Sequence, residues 1–469
     1  MAYQFPISKF LRRVLNESTL HGVFHLINPK SKLAEKIMWA VIIGLVVFCS
    51  FSLLTVFWYR YLTNPTVIAL NRNYHEWNTT FPSITVCFHN RLNVTARDNL
   101  VKQMKPKNPE KFKNFLGLLA EANIFRLQTL MEFDEYSFLD LKATQNQITN
   151  FVDTKVMLDN GQEAGFKRVV TELGICYTFN SDITRFMSTD PSSSSDEYSH
   201  NDLIQVTMME RDIMASLENL TENGNIFYHG PFEVPSILKR LIVSASTSAF
   251  LTITFKPVII TADSTIENLY VQQRRCRFPY ESNLVMFPRY YSHSLCLLDC
   301  RLRLFLKYCE CVPFFYNLDV ETPVCRIKQL RCIVQNLVTI RQSLSSCGCL
   351  KDCNTISFTL QSYVLFEWFN DPLIKWNMET PKVRYSRRII YGFVDAMAST
   401  GGICGLFFGA SVLTFVELVY SLLKHLLKLF TPKKNKTNTS QNKNFNNKIP
   451  VAKNVNNKVK FNKQVTLWY

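Results

Sequence analysis

Residues Ile37 to Tyr59 read IMWAVIIGLVVFCSFSLLTVFWY, an apolar run without a single charge. Wound as a helix it is about 35 Å long, enough to cross a bilayer core of about 30 Å with some tilt. A secretory leader is a poor reading of it, because the run is too long and no small-residue cleavage site precedes the next domain. A second uncharged run extends from Ala396 to Val416, followed by Glu417 and then Lys424. Two such runs predict a membrane protein with two spans.

Charge orients the spans. The 469 residues hold 53 Lys plus Arg against 37 Asp plus Glu, a net +16. Residues 1–36 hold Lys9, Arg12, Arg13, Lys30, Lys32 and Lys36 against Glu17 and Glu35, and residues 424–469 hold eleven Lys and no acid. The middle is left nearly neutral, which argues against a nucleic-acid-binding face. By the positive-inside rule both ends are cytosolic and residues 60–393 lie outside the cell, a multi-pass plasma-membrane topology. Cysteine usage agrees. Of fourteen, Cys49 and Cys404 fall in the apolar runs and the other twelve in the external segment, room for six disulfides in an oxidising compartment. Sequons at Asn78, Asn93 and Asn219 are expected to carry glycans, and those at Asn16, Asn435 and Asn438 to stay bare.

The external segment is too long for one compact core and is expected to divide into subdomains. Ser83–Val86 and Ala249–Thr261 alternate as strands do. Ser188–His200 reads as a polar loop, and the Lys/Asn-rich tail as disordered or lying along anionic lipid. Cys296 and Cys300 stand four apart in a helical pattern, on one face at about 6 Å. Cys347 and Cys349 stand two apart, and an extended strand would set them at about 6.5 Å. The matching spacings allow a helix stapled twice to an antiparallel strand, although spacing alone leaves the pairing open. A zinc site built from Cys309, Cys311, Cys347 and Cys349 is disfavoured outside the cell. There is no phosphate loop, no His-Glu-x-x-His and no Gly-x-Ser-x-Gly. The chain reads as a non-enzyme without cofactor or metal.

The second run is chemically odd. It contains Gly401, Gly402, Gly405 and Gly409 beside Ala398, Ser399, Ala410 and Ser411. Each Gly inside a helix costs about 0.5–1 kcal/mol relative to Ala, so four within nine residues need a reason. One is close packing of helices through small residues. The other is a pore, in which small residues let several copies approach one axis and present carbonyls and hydroxyls to an ion. Glu417, an acid at the inner end of the run, would favour cations or sit at the interface.

On these pieces the chain resembles the degenerin/epithelial sodium channel family, most closely its insect pickpocket branch. The matching motifs are His21-Gly22, Phe81-Pro82-Ser83-Ile84-Thr85-Val86-Cys87 and Gly174-Ile175-Cys176-Tyr177-Thr178-Phe179-Asn180. After them come the cysteine ladder, Gly405-Leu406-Phe407-Phe408-Gly409-Ala410-Ser411-Val412-Leu413-Thr414 and Glu417. The resemblance implies an α+β membrane protein in which two transmembrane helices flank a large, disulfide-rich, hand-shaped extracellular α/β domain. It implies a trimeric, sodium-selective, amiloride-sensitive channel, a homo- or hetero-trimer whose partners are sodium ions, the lipid bilayer and related subunits. The segments would be cytosolic 1–36, span 37–59, external 60–393, pore span 394–423 and cytosolic tail 424–469. Implied disulfides are Cys87–Cys176, Cys276–Cys353, Cys296–Cys349, Cys300–Cys347, Cys309–Cys332 and Cys311–Cys325. The filter maps to Gly409, Ala410 and Ser411, and gating positions to His21, Gly22 and Ala398. Ser399 stands where acid-sensing relatives carry an acid, so cation concentration at the mouth falls to Asp395 or to other subunits. The stretch after Cys353 is short, so the last palm strand comes from Leu373–Arg388 or is curtailed. An ATP-gated trimeric channel would need an external Lys/Arg cluster, and a membrane-anchored adhesion protein would need neither the small-residue run nor Glu417.

Overall fold

The uncharged run lies within one unbroken helix, Leu33–Thr63, which reaches four residues beyond it at each end and carries Glu35, Lys36 and Arg60 near its ends. Leu45, Phe48, Phe51 and Val56 are all exposed on it. A helix apolar on every face needs an apolar surround, and this one is long and apolar enough to cross a membrane. The second run differs from the expectation of one continuous helix over 394–423. It forms two helices, Phe393–Phe408 and Val412–Phe430, and a stretch both long and apolar enough to cross a membrane arises only when Phe393–Phe408 is taken together with Val412–Ser421.

The computed structural model describes residues 22–27, 31–73, 77–150, 155–159, 161, 163–183, 187, 203–207, 213–218, 220, 222–235, 242–316, 322–367 and 372–430. His21, the loop expected at 188–200, the sequons at Asn16, Asn219, Asn435 and Asn438, and the tail beyond Phe430 lie outside these. Residues 45–403 pack as one compact body, so the external segment does not divide into separate units, and the outer parts of the chain make a second body.

The external part is built on two sheets. In the larger, Ala249–Ala262 pairs antiparallel with Thr355–Glu367 on one side and parallel with Leu373–Met378 and Arg384–Ile389 on the other. The burial pattern of Ala249–Ile260 alternates as the sequence does, with Leu251, Ile253 and Phe255 inward. The smaller sheet runs in the order Ile242–Ala245, Gly224–His229, Ser83–Phe88, Gly174–Phe179, Lys167–Thr171. Ser83–Phe88 and Gly174–Phe179 are buried along their whole length, so the alternation of Ser83–Val86 marks no solvent face: Ser83 and Thr85 are buried as fully as Ile84 and Val86. Phe81, Ile84, Val86, Tyr228, Phe255 and Trp376 join the two sheets in one cluster.

A helical layer makes a second cluster. Pro109–Ala120 contributes Phe112, Phe115, Leu116 and Leu119, and Ile327–Ser343 contributes Leu330, Ile333 and Ile340. Asn108 accepts from the Lys111 N–H and sets the start of Pro109–Ala120, with Pro at its first position. The helix His293–Cys309 is capped by Ser292, whose Oγ accepts from Leu295 N–H. The described residues hold six disulfides: Cys87–Cys176, Cys276–Cys353, Cys296–Cys349, Cys300–Cys347, Cys309–Cys332 and Cys311–Cys325. These are the pairs implied by the resemblance. The extended strand expected at Cys347 and Cys349 is a correction. Cys347 ends a 3₁₀ turn and Gly348 takes φ +66°, so the two cysteines do not lie on an extended strand. A left-handed glycine meets two sulfurs one helical turn apart as well as a strand would.

Candidate functional site

The approach to the second apolar run starts from a strand pair. Thr66–Asn71, which follows the long helix, pairs antiparallel with Arg384–Ile389 in the register Thr66↔Ile389. The palm strand expected from Leu373–Arg388 is thus two strands, Leu373–Met378 and Arg384–Ile389, and it is not curtailed. Pro65 O, between the long helix and its strand, accepts from Ile390 N–H at 2.9 Å and Tyr391 N–H at 3.2 Å. Phe57 stacks on Tyr391 with centroids 6.1 Å apart, Tyr61 lies 6.2 Å from Phe393, and the Arg60 guanidinium sits 5.6 Å over the Tyr391 ring. Tyr391 is buried, and its Oη donates to Ser399 Oγ at 2.8 Å. Outgoing and returning chain are therefore clamped at one aromatic residue.

Phe393–Phe408 begins with half of a capping box. Asp395 Oδ2 accepts from Gly392 N–H at 2.8 Å, and Ala396 N–H makes the first helical bond to Gly392 O. Asp395 is exposed, so it caps the helix and keeps a solvent-facing negative charge. Ala396 is buried while Ala398 is exposed. A Cβ added at Gly401 or Gly402 would meet nothing within 4 Å.

The break at Gly409-Ala410-Ser411 is built from both sides. Gly409 takes φ +62°, the left-handed conformation that ends helices, and its N–H bonds to Gly405 O at 3.0 Å while Ala410 N–H reaches Cys404 O at 3.2 Å. Ser411 then starts the next helix. Its Oγ accepts from Thr414 N–H at 3.3 Å, and Thr414 Oγ1 accepts in return from Ser411 N–H at 3.3 Å. Glycine adopts the first conformation most cheaply, and a short hydroxyl, amide or carboxylate side chain makes the second. Glu417 lies on the second helix and is exposed.

At the other end of the chain, Gly22 takes φ +81° and opens the short helix Val23–Ile27. A Cβ there would lie 3.4 Å from Ile43 Cδ1, and His25 stacks on Trp39 at 4.4 Å with planes 5° apart. Of the expected glycan sites, Asn78 is exposed, whereas Asn93 is half-buried and its Oδ1 caps Val94–Met104 by accepting from Ala96 N–H.

Sequence reasoning missed Tyr391, Phe57, Arg60 and Pro65. Aromatics enriched where a span meets water are a signal that points to the first two. It also missed Arg384 and Arg387 on the last strand. Burial holds both guanidinium groups below the usual arginine range, with Arg384 4.6 Å over Trp77 and Arg387 donating to Arg274 O at 3.1 Å.

Comparison with known proteins places this architecture. Pickpocket protein 19 of Drosophila melanogaster is 24% identical over 89% of this chain and 91% of its own length. Pickpocket protein 28 of the same fly is 20% identical, over 87% of this chain and 77% of its own. Acid-sensing ion channel 4-B of Danio rerio is 22% identical over 94% of this chain and 81% of its own. The sequence profile of the family described as "Amiloride-sensitive sodium channel" matches residues 14–421. That match takes in both apolar runs and every cysteine between them, and the chain belongs to the amiloride-sensitive sodium channel family, one of ion channels.

Proposed function

We propose that this chain is a subunit of a sodium-selective, amiloride-blockable cation channel in the plasma membrane, its pore lined by the second apolar run of three subunits. The observation that carries the reading is the capped break at Gly409-Ala410-Ser411 inside an otherwise apolar segment. Non-helical backbone at membrane depth is tolerated only where it is buried in protein or lines a water-filled cavity. A ring of such breaks sets backbone carbonyls and the Ser411 hydroxyls around an axis, a filter for a small cation. The open space at Gly401 and Gly402 gives other copies of the helix room to approach. Asp395 and Glu417 supply negative charge before and after the break, and Ser399 supplies none. A channel of this chain alone therefore concentrates cations less than one that includes a partner subunit with an acid there. Ala398 sits one turn into the helix as the gating position. His21-Gly22 is the cytosolic gating motif, in which Gly22 seats the short helix against Trp39 and Ile43.

The test is current recorded from cells expressing the chain alone and with candidate partner subunits, with surface labelling as a control. Amiloride-blocked current reversing near the sodium potential supports the reading. Current opened by ATP and insensitive to amiloride points to the ATP-gated class. Full surface expression without current under any partner or stimulus points to an adhesion role. Glycopeptide mapping tests the topology: sugar at Asn78 is expected, with less at the helix-capping Asn93, and sugar on Asn435 or Asn438 would overturn the orientation.

A further inference from the structure

Far from the apolar runs, four separated pieces of chain close around a cavity of about 400 Å³. They are the end of strand Ser83–Phe88 with the turn after it, the loop beyond Pro109–Ala120, the turn at Leu173 and strand Gly224–His229. The volume lies within the range of small-ligand pockets, about 300–1,000 Å³. Its charge is what sets it apart. Arg91, about nine-tenths buried, lines the cavity together with Arg126, and Glu121 is the only acid among the lining residues. Glu121 is already paired with Arg126 at 2.8 Å, and Asn90 is turned to Glu222 at 3.3 Å. One positive charge is left over, and it belongs to the buried guanidinium.

Arg91 is held in place with donors to spare. Its Nε donates to Phe88 O at 2.7 Å and its Nη1 to Leu173 O at 2.6 Å. Arginine has five N–H donors, and among the described residues Nη2 has no partner. Gly174 makes the room, since a Cβ there would lie 2.3 Å from Arg91 Nη1. Burial draws the guanidinium down to about 10, with Glu121 offsetting this only in part. Asn225 and His89 face the same cavity, and neither side chain makes a hydrogen bond among the described residues. The free Nη2 is not among the buried atoms left without a partner, so it opens onto the cavity, where an anion would meet a cation already fixed in place.

We infer that this cavity is a binding site for a small carboxylate, gripped by the free edge of Arg91 and by Asn225. A planar guanidinium matches a carboxylate in two-pronged fashion. A halide would leave most of the volume empty, and a dianion would face Glu121 with only one charge neutralised. This site is independent of the channel reading, because it needs neither the apolar runs nor a second subunit.

The test uses the full-length chain in lipid nanodiscs. Thermal unfolding is followed against sodium acetate, sodium lactate, sodium chloride and sodium phosphate, with ionic strength held constant by sodium isethionate. Acetate and lactate should each raise Tm in a saturable way, as a ligand of the native state must. Arg126→Glu and Asn225→Asp, both at partly exposed positions, should raise the half-saturating concentration at least tenfold, and Arg91→Gln should abolish the effect. If Arg91→Gln does not fold, the other two variants decide. The inference fails if neither carboxylate gives a saturable shift, or if the shift is unchanged in both partly exposed variants. Saturation by chloride or phosphate but not by carboxylates would overturn the ligand class.

Discussion

The two apolar runs are alike in lacking charge and differ in glycine content and in backbone. Leu33–Thr63 contains one glycine, Gly44, and passes through it as an unbroken helix. The second run contains Gly401, Gly402, Gly405 and Gly409, stays helical through the first three and breaks only at the fourth. Glycine content alone therefore does not break a helix. The break needs a left-handed glycine followed at once by a residue that can cap a new helix, and only Gly409-Ala410-Ser411-Val412-Leu413-Thr414 has both. The first run is one continuous helix, and the second is two helices joined by a capped break.

The largest effect should come from erasing that difference. Gly409→Val places a β-branched residue at φ +62°, a strain of roughly 1–3 kcal/mol per subunit. Relief of the strain straightens or distorts the tripeptide, so the sodium-over-potassium preference should collapse. Reversal potentials in mixed sodium and potassium solutions measure it, and Ser411→Cys should weaken the preference less. Unchanged selectivity at normal surface density would place the filter elsewhere.

Next in size is the proposed gate. Ala398 is exposed on a single chain, in the first helix of the broken run. Ala398→Phe should overcrowd a closed arrangement of three helices by about 1–3 kcal/mol per copy, enough in sum to leave the channel mostly open. Constitutive amiloride-blocked current is the expected outcome, with Ala398→Gly silent. Equal behaviour of the two variants would make Ala398 an ordinary helix residue.

A smaller effect tests the clamp between the runs. Tyr391→Phe keeps the ring on Phe57 and removes only the hydroxyl bonded to Ser399. That bond is worth about 0.5–1.5 kcal/mol, so open probability should shift by up to roughly tenfold. Ser399→Ala should produce the same shift, and the double variant should add little. Additive effects would mean that the two hydroxyls act separately.

The smallest effect belongs to the first run. Gly44→Ala meets no atom within 4 Å and gains helix propensity of about 1 kcal/mol or less. Surface expression should hold or rise slightly, and the reversal potential should not move. A selectivity change from Gly44→Ala would blur the division between the two runs.

Much of this was legible from one dimension. Hydropathy and the absence of charge sufficed for Leu33–Thr63, because a helix apolar on every face needs no tertiary partner to choose its conformation. Alternation sufficed for Ala249–Ala262, whose inward and outward residues repeat every two positions. The four-residue spacing of Cys296 and Cys300 sufficed for a helix face.

Other features have no local signal. Four glycines share one run, and which of them leaves the helix is settled by the bonds from Gly409 N–H to Gly405 O and between Ser411 and Thr414, closures that any one residue type leaves open. Cys347 and Cys349 fit a strand and a turn equally by spacing, and the sulfurs they had to meet selected the turn. Tyr391 matters because Phe57, Arg60 and Pro65 are folded back onto it from more than three hundred residues away. Arg91 becomes a buried cation only where four distant segments exclude water around it. Conformations whose energy lies in neighbours along the chain could be read from residue order alone. Those whose energy lies in desolvation and in contacts between distant segments took shape only when the chain folded.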